Sequence, residues 1–338
     1  MRQLNNTTPY AASVAMFPDE DAVDTLYVIV KATFSLGERI EPIEKQIKPL
    51  EADVYWGEPG ESSIRYASDM HTGKAATDII VLGHACAPEQ KEVSELDVSV
   101  AVGTVSKTIR VFGDRQWQDG KITEPVPFKI LAMVYENAFG GTHLVDGKID
   151  SAELRNPVGK GFAGKRKIED MNGVALPNLE DPSCLIRAYN DNPAPACFGF
   201  AAPNWHPRTG HAGTFDGDWK KNRAPYLPKN FDKRFLNMAH ADLVYPGFLK
   251  GGEGVRVTNM SRDGDIQFQV PRIQLAAQIE VGAKRAQPAF ELETLILETD
   301  SMNLTLIWRA AMPCDKKAFT IGDVKITHWL DRPNSNEK

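Results

Sequence analysis

The sequence predicts a mainly β fold: an antiparallel β-sandwich or barrel-like sheets, with a long Pro/Gly-rich, loop-dominated insertion and few short helices. Apolar runs of β-favouring residues occupy the first and last thirds of the 338 residues. Residues 155–235 contain 9 of the 22 prolines and 8 of the 26 glycines. Helices and central strands do not tolerate that density of breakers, so ordered loop is expected between two β-rich ends.

Strands are expected first at residues 25–36, where Leu, Tyr, Val, Ile, Thr and Phe follow one another. Residues 77–85 repeat this composition, and residues 96–102 alternate apolar and polar side chains with the period of a strand. The Asp119-Gly120 pair readily adopts the positive φ angles of a tight turn, which predicts a hairpin over residues 108–126.

Further strands are expected in the last third, separated by turn signals such as Arg262-Asp263-Gly264. One helix of two or three turns is predicted over residues 231–241, with Asn230 as its cap. The predicted strands of the last third are residues 254–260, 266–270, 273–281, 290–298 and 304–309.

Three regions follow from these patterns. They are an N-terminal β-rich region (1–134), a loop-rich insertion (135–250) and a C-terminal β-rich region (251–338). The alternative is one compact domain that contains all three.

Composition excludes several classes of protein. Hydrophobic residues make up 42% and charged residues 25%, unlike disordered, collagen-like or membrane-embedded chains. The net charge of −6 does not indicate nucleic acid or an anionic membrane as partner. The first ten residues lack the apolar core of a signal peptide, so a cytoplasmic location is expected. No C-x-x-C pair is present, and buried free thiols are expected at Cys86, Cys184, Cys197 and Cys314.

Residues 159–165 satisfy both the G-x-G-x-x-G and the G-x-x-x-x-G-K patterns of phosphate-binding loops. Such loops need a buried strand before them and a helix after them. Residues 153–157 make a poor strand, and Arg166 stands where Ser or Thr would hold magnesium. A glycine-rich loop packed against another segment is therefore expected, and an anion- or nucleotide-binding regulator is an alternative.

The sequence indicates a metal site or a hydrolase active site even less clearly than it indicates a phosphate-binding loop. His206, His211, Asp216 and Asp218 match no zinc or calcium spacing, so the two aspartates are expected to bond local backbone. Neither G-x-S-x-G nor H-E-x-x-H occurs, and we predict no enzyme, cofactor or metal. The alternative of a carbohydrate-active or other hydrolase needs two converging carboxylates. The candidates are Glu136, Asp150, Glu153, Asp216, Asp232 and Asp242.

The most distinctive feature is an ordered series of polar, aromatic and glycine clusters. Glycine permits close backbone approach, while Asn, Asp and Thr satisfy the polar backbone groups of loops. Most of the clusters are therefore expected to hold the insertion onto the sheets. In order they are YENAFGGT (135–142), NPVGKGF (156–162), PNLE (177–180), FG (198–199), Trp205 with Arg208, GTFDGDW (213–219) and LPKNFDKRFLN (227–237).

This series resembles a bacterial family that is catalogued as a domain of unknown function and found among type VI secretion genes. The resemblance extends from Asn5–Tyr10 to the closing strands, and the one departure is residues 239–243 (AHADL). The resemblance implies an adaptor or chaperone that binds a type VI effector, a toxin, in the cytoplasm. It also implies that the adaptor helps to load this effector onto the spike protein of the secretion machine.

A protein with this task must present an apolar or edge-strand surface that its partner covers. The aromatic and basic side chains of the insertion have the composition of an interface hot spot. Residues 200–240 are therefore predicted to line part of the effector site, although the same aromatics would equally suit packing of the insertion onto the sheet. The predicted partner-binding residues are Trp205, Arg208, Trp219, Tyr226 and Arg234.

Overall fold

The computed structural model describes residues 3–314 and 320–330. In the first third these residues form strands of 2 to 13 residues. The strands are β1 (Leu4–Asn6), β2 (Ala11–Pro18), β3 (Asp24–Leu36), β4 (Ile40–Pro42), β5 (Val54–Tyr55), β6 (Ile64–Tyr66), β7 (Asp78–Leu82), β8 (His84–Cys86), β9 (Glu95–Val102), β10 (Val105–Phe112), β11 (Trp117–Gln118), β12 (Lys121–Ile122) and β13 (Ile130–Ala132).

The middle of the chain has only short elements, as its proline and glycine content predicts. Its one α-helix among the described residues is α1 (Gly217–Asn222), and 3₁₀ turns occur at Tyr135–Asn137, Ile168–Met171, Arg208–His211, Lys233–Leu236 and Ala241–Leu243. Its strands are β14 (Phe139–Gly140), β15 (Thr142–Val145), β16 (Lys148–Ala152), β17 (Lys160–Gly161) and β18 (Leu179–Glu180).

The last third returns to longer strands. They are β19 (Gly254–Thr258), β20 (Ile266–Gln269), β21 (Ile273–Val281), β22 (Lys284–Ala286), β23 (Glu291–Glu298), β24 (Asn303–Pro313) and β25 (Ile321–Leu330). The mainly β fold is thus confirmed. Its larger sheets are open and mostly antiparallel over the described residues, which corresponds to the sandwich form of the prediction rather than to a closed barrel.

A central sheet joins the two ends of the chain in the order β2-β3-β24-β23-β7, with β4 added beside β3. Strand β3 lies between β2 and β24, and its residues 25–34 are all buried. Burial on both faces explains why residues 26–30 form an uninterrupted apolar run rather than an alternating pattern. Strands β7 and β23 pair in parallel, whereas the other neighbours in this sheet are antiparallel.

A second sheet has the antiparallel order β18-β10-β9-β19-β20, and a third has the order β1-β25-β21-β22. Strand β9 alternates inward and outward side chains, so that Val98, Val100 and Val102 are buried. These valines belong to the same hydrophobic cluster as the buried residues of the central sheet. The two sheets therefore share one core, which is the arrangement of a sandwich.

Two predictions of secondary structure need correction. The predicted helix over 231–241 is instead two 3₁₀ turns, because Asp232 and His240 accept hydrogen bonds from Arg234 N and Asp242 N and start new turns. The Asp119-Gly120 turn is present, with φ of 50° and 74°. However, its hairpin contains only β11 and β12, since β10 pairs with β9.

The cysteine prediction is confirmed at three positions and wrong at the fourth. Cys86, Cys197 and Cys314 are free and buried, whereas Cys184 is free and exposed. Burial raises the pKa of the Cys197 thiol to about 12. Among the described residues, no helix has the length and apolar character needed to cross a membrane.

Candidate functional site

The first motifs of the series join segments of the insertion to one another. Asn156 is fully buried, and its Nδ2 donates to the carbonyls of Tyr135 (2.8 Å) and Phe139 (3.0 Å). Gly140 passes so close to this asparagine that a Cβ would lie 2.0 Å from the Asn156 carbonyl oxygen. The glycine and the asparagine therefore act as one packing unit.

The glycine-rich segment 159–165 is part of the same packing. Its strand β17 pairs in parallel with β14, and a Cβ on Gly161 would lie 2.6 Å from Pro177 Cδ. The next element is the four-residue 3₁₀ turn at 168–171, which supplies no helix of the kind a phosphate loop requires. Lys165 Nζ lies 2.9 Å from Asp150 Oδ1. The segment is thus the packed glycine-rich loop that the sequence favoured.

Each of the carboxylates considered for hydrolase chemistry accepts a hydrogen bond from a nearby side chain or backbone group. Asp216 caps α1 by accepting from Trp219 N (2.9 Å), as predicted for a local turn. In the part of the chain that the structure describes, no three His, Cys, Asp or Glu side chains form a potential metal site. The other partners are Ser63 for Glu136, Lys165 for Asp150, Arg155 for Glu153, Arg234 for Asp232 and Lys107 for Asp242.

One His–Asp pair, whose residues lie outside the motif series, lines a pocket of about 480 Å³. His84 Nδ1 is 2.7 Å from Asp300 Oδ2, and both side chains are about half exposed. Cys86 lines the same pocket, but burial raises the pKa of its thiol, and this thiol donates to the His84 carbonyl rather than to the imidazole. The pair therefore has the geometry of a surface ion pair.

The later motifs form two different surfaces. The first, called here the aromatic cluster, consists of Phe215, Trp219 and Tyr226 on and around α1. The Phe215 and Trp219 rings meet edge to face at 4.8 Å, and Trp219 Nε1 donates to the Tyr226 carbonyl (2.9 Å). Phe215 is 56% exposed and Tyr226 41% exposed, and no member of the cluster belongs to either hydrophobic core.

The second surface is a cleft of about 450 Å³, which we call the arginine cleft. Three arginines and three histidines line it, and no Asp or Glu does so. Its walls are mostly small apolar side chains, which leave room for a ligand. The lining residues are Tyr135, Arg155, Ala194, Pro195, Ala201, His206, Pro207, Arg208, His211, Arg234, Asn237, Ala239, His240, Ala241 and Val244.

Arg208 is the most buried arginine of this cleft, at 5% exposure. Its Nε donates to the Phe235 carbonyl (2.9 Å) and its Nη1 to the Ala201 carbonyl (2.6 Å). Desolvation lowers the pKa of this guanidinium to about 10. A guanidinium with this pKa still carries its positive charge at neutral pH.

Beneath the cleft, Trp205 packs edge to face on Tyr135 at 5.1 Å, and burial raises the pKa of the tyrosine hydroxyl. Trp205 is 3% exposed and belongs to the main hydrophobic core. Its ring therefore has no free face for a partner. This position is the one expected if the aromatic residues pack the insertion onto the sheet. By contrast, Trp219 and Tyr226 lie in the aromatic cluster, and Arg208 and Arg234 line the cleft.

Sequence reasoning missed several residues of these surfaces. Phe215 is 56% exposed but is not among the predicted partner-binding residues. The available signal was its place beside Asp216 in the GTFDGDW motif. Tyr135, Arg155 and His240 enter the cleft from distant parts of the chain, and no local pattern shows that they lie together. Burial lowers the pKa of His240 to about 4, so this histidine is neutral at physiological pH.

Comparisons with known proteins give one match. The model of a protein family described as an uncharacterized protein conserved in bacteria (DUF2169) matches residues 21–309, which include both surfaces. No curated protein and no solved structure matches the chain.

Proposed function

Since the chain belongs to the bacterial family DUF2169, we propose that it is a non-enzymatic adaptor that binds another polypeptide. In its specific form, the proposal is a cytoplasmic adaptor or chaperone that binds a type VI effector and helps to load it onto the spike protein. The ordered motif series supports the secretion context, and the surface chemistry described above supports binding of a polypeptide.

The observation that carries the proposal is that the aromatic cluster reaches the surface, where Phe215 and Tyr226 are exposed and Trp219 is half-buried. Soluble proteins rarely leave a tryptophan, a tyrosine and a phenylalanine together at the surface without a partner. Trp and Tyr are also the side chains most enriched at the energetic centres of interfaces. Because the cluster contributes to neither core, packing of the insertion does not account for it.

The cluster is held in place before any partner arrives. Arg223 Nε donates to the Leu227 carbonyl (2.8 Å), and its Nη2 donates to the Glu20 carbonyl in the turn before β3 (2.7 Å). The Asp216 cap fixes the start of α1. A surface that is already ordered loses little conformational entropy on binding, which favours affinity.

The test is co-expression of this chain with the product of each neighbouring gene, followed by co-purification. We expect one product to co-purify, and we expect Trp219→Ala and Tyr226→Ala to weaken that complex by at least about tenfold. Trp56→Ala is the matched control, because Trp56 is also 41% exposed but stacks on Arg65 away from the cluster.

Two results would contradict the proposal. The first is that no neighbouring product binds the wild-type chain. The second is that folded Trp219→Ala and Tyr226→Ala proteins bind the product as tightly as Trp56→Ala does.

A further inference from the structure

Arg208 is a buried cation without a counter-ion. Within the described residues, no carboxylate lies within 4 Å of its guanidinium, and Nη2 has no hydrogen-bond partner. This Nη2 is not among the fully buried unpaired atoms, as Arg115 Nε and Arg309 Nη1 are. It therefore keeps contact with the arginine cleft, which the side chain lines.

Two carboxylates act to raise the pKa of Arg208, Asp53 and, more strongly, Asp78. Asp53 Oδ1 accepts a hydrogen bond from Ser68 N (2.7 Å). The Asp78 carboxylate is already fully hydrogen-bonded. Lys74 Nζ lies 2.6 Å from its Oδ2, Met238 N donates to the same oxygen at 2.8 Å, and Asn237 Nδ2 donates to Oδ1 at 2.9 Å. Asp78 cannot turn towards Arg208 without leaving the buried Lys74 ammonium unpaired, which is strongly unfavourable.

Unlike Arg208, the other two arginines of the cleft are each paired with a carboxylate of the chain. Arg155 makes a bidentate pair with Glu153, at 2.7 and 2.8 Å. Arg234 is paired with Asp232, whose pKa its hydrogen bonds lower to about 2. Arg208 is thus the one arginine of the described cleft whose charge a ligand would have to neutralise.

We propose that the arginine cleft receives an acidic, apolar segment of the partner polypeptide, with a carboxylate of that segment bound to Arg208. The inference rests on the proposed function, because it specifies which part of the bound polypeptide enters the cleft. The apolar neighbours of the carboxylate lie against the small side chains of the walls, among them Ala201, Ala239 and Val244. Hydrogen bonds between guanidinium and carboxylate are strong, and a water-poor site strengthens them further.

A carboxylate fits this cleft better than a phosphate group does. A phosphate dianion needs several charged donors, and two of the three arginines are already paired with carboxylates of the chain. One guanidinium without a carboxylate partner, with alanine, proline and valine side chains also in the lining, suits one negative charge with apolar flanks. The cleft volume of about 450 Å³ accommodates a few residues rather than a whole domain.

The first experiment uses a random peptide library displayed on phage as the probe, selected against the wild-type chain. We expect enrichment of peptides that carry Asp or Glu between small apolar residues. Synthetic copies with an amidated C-terminus, and with Glu replaced by Gln or Asp by Asn, should bind at least about tenfold more weakly than the acidic originals. Copies with Gln or Asn and a free C-terminal carboxylate distinguish a side-chain acid from a terminal one.

Two variants of the chain test the site itself. Arg208→Met removes the cation, and Ala239→Leu fills the cleft while the charge remains, so both should weaken binding of the acidic peptides by at least about tenfold. The Leu variant also keeps the test valid if Arg208→Met fails to fold. Arg110→Met is the control, because Arg110 is paired with Asp97 on the second sheet, outside the cleft.

Three results would overturn the inference. They are a selection that yields no peptides or peptides without acidic residues, equal binding of acidic and amide peptides, and unchanged binding by folded Arg208→Met and Ala239→Leu proteins. The neighbouring-gene product separates this inference from the proposed function. If this product binds the wild type and both cleft variants equally, the adaptor function stands and the cleft assignment falls. If no product binds the wild type, the adaptor function fails whatever the peptides do.

Discussion

Two parts of the loop-rich middle, residues 135–180 and residues 205–244, are built from the same kinds of residue but differ in where their side chains go. In the first part, glycine and asparagine bring backbone segments into direct contact and satisfy them, as Gly140 and Asn156 do. In the second part, several aromatic and basic side chains, among them Phe215, Tyr226 and Arg234, remain exposed around a cleft and a short helix. A motif rich in Gly, Asn and aromatics therefore does not by itself distinguish a scaffold from a site.

The largest expected effect is the loss of stability caused by a glycine substitution in the first part, compared with a glycine substitution in the second part. Gly140→Ala should destabilise the fold by about 4 kcal/mol or more, since its Cβ would overlap backbone and its φ of +152° is unfavourable for alanine. Gly217→Ala is the control, because nothing lies within 4 Å of its Cβ position at the start of α1. Urea unfolding measures both, and equal stability of the two variants would refute the distinction.

Two tryptophans give the next largest contrast. Trp205→Ala should lower the free energy of unfolding by about 3–5 kcal/mol, because it leaves a cavity beside Tyr135 in the core. Trp219→Ala should cost less than about 1 kcal/mol, because the indole belongs to neither core. Thermal and urea unfolding distinguish these outcomes, and a large loss for Trp219→Ala would mean that the aromatic cluster is structural.

The smallest expected effect concerns pH and the cleft. His240 has a folded-state pKa of about 4 against an ordinary value of 6.5, so the unfolded chain binds more protons between these values. Its contribution to stability is therefore complete above about pH 6.5 and is lost as the pH falls towards about 4. His240→Asn keeps a side-chain oxygen that can accept from Asp242 N. On acidification, the free energy of unfolding of this variant should fall by about 2 kcal/mol less than that of the wild type.

The measurement for His240→Asn is urea unfolding at about pH 7 and about pH 5, compared with the wild type. The buried His71, whose pKa burial also lowers, keeps part of the acid sensitivity in both proteins. Parallel loss of stability in the two proteins would show that His240 titrates as an ordinary histidine.

The fold could be predicted from sequence where strand composition was strong. The predicted bounds of β21 coincide with the observed ones, and those of β3 differ by one residue. Strand β2 was missed because AASVAMFP contains alanines that favour strands weakly, and its side chains are mostly half buried beside β3. The predicted helix failed because Asp232 and His240 start separate turns, which a helical pattern does not reveal.

The site was less predictable, because burial and pairing depend on long-range contacts. The composition of residues 200–240 indicated an interface, yet it could not separate the buried Trp205 from the half-buried Trp219 of the aromatic cluster. It also could not show that Arg234 has an adjacent carboxylate partner whereas Arg208 lacks one. That difference depends on Asp78, which lies 130 positions earlier in the chain and is held by Lys74.

The position of β3 between β2 and β24 has a consequence for synthesis of the protein on the ribosome. Until β24 (Asn303–Pro313) has emerged, β3, the longest of the described strands, has an open edge and no partner on that side. Long-range pairing of this kind folds slowly and leaves the nascent chain prone to aggregation. Translation must therefore reach residue 313 before the central sheet can close around β3.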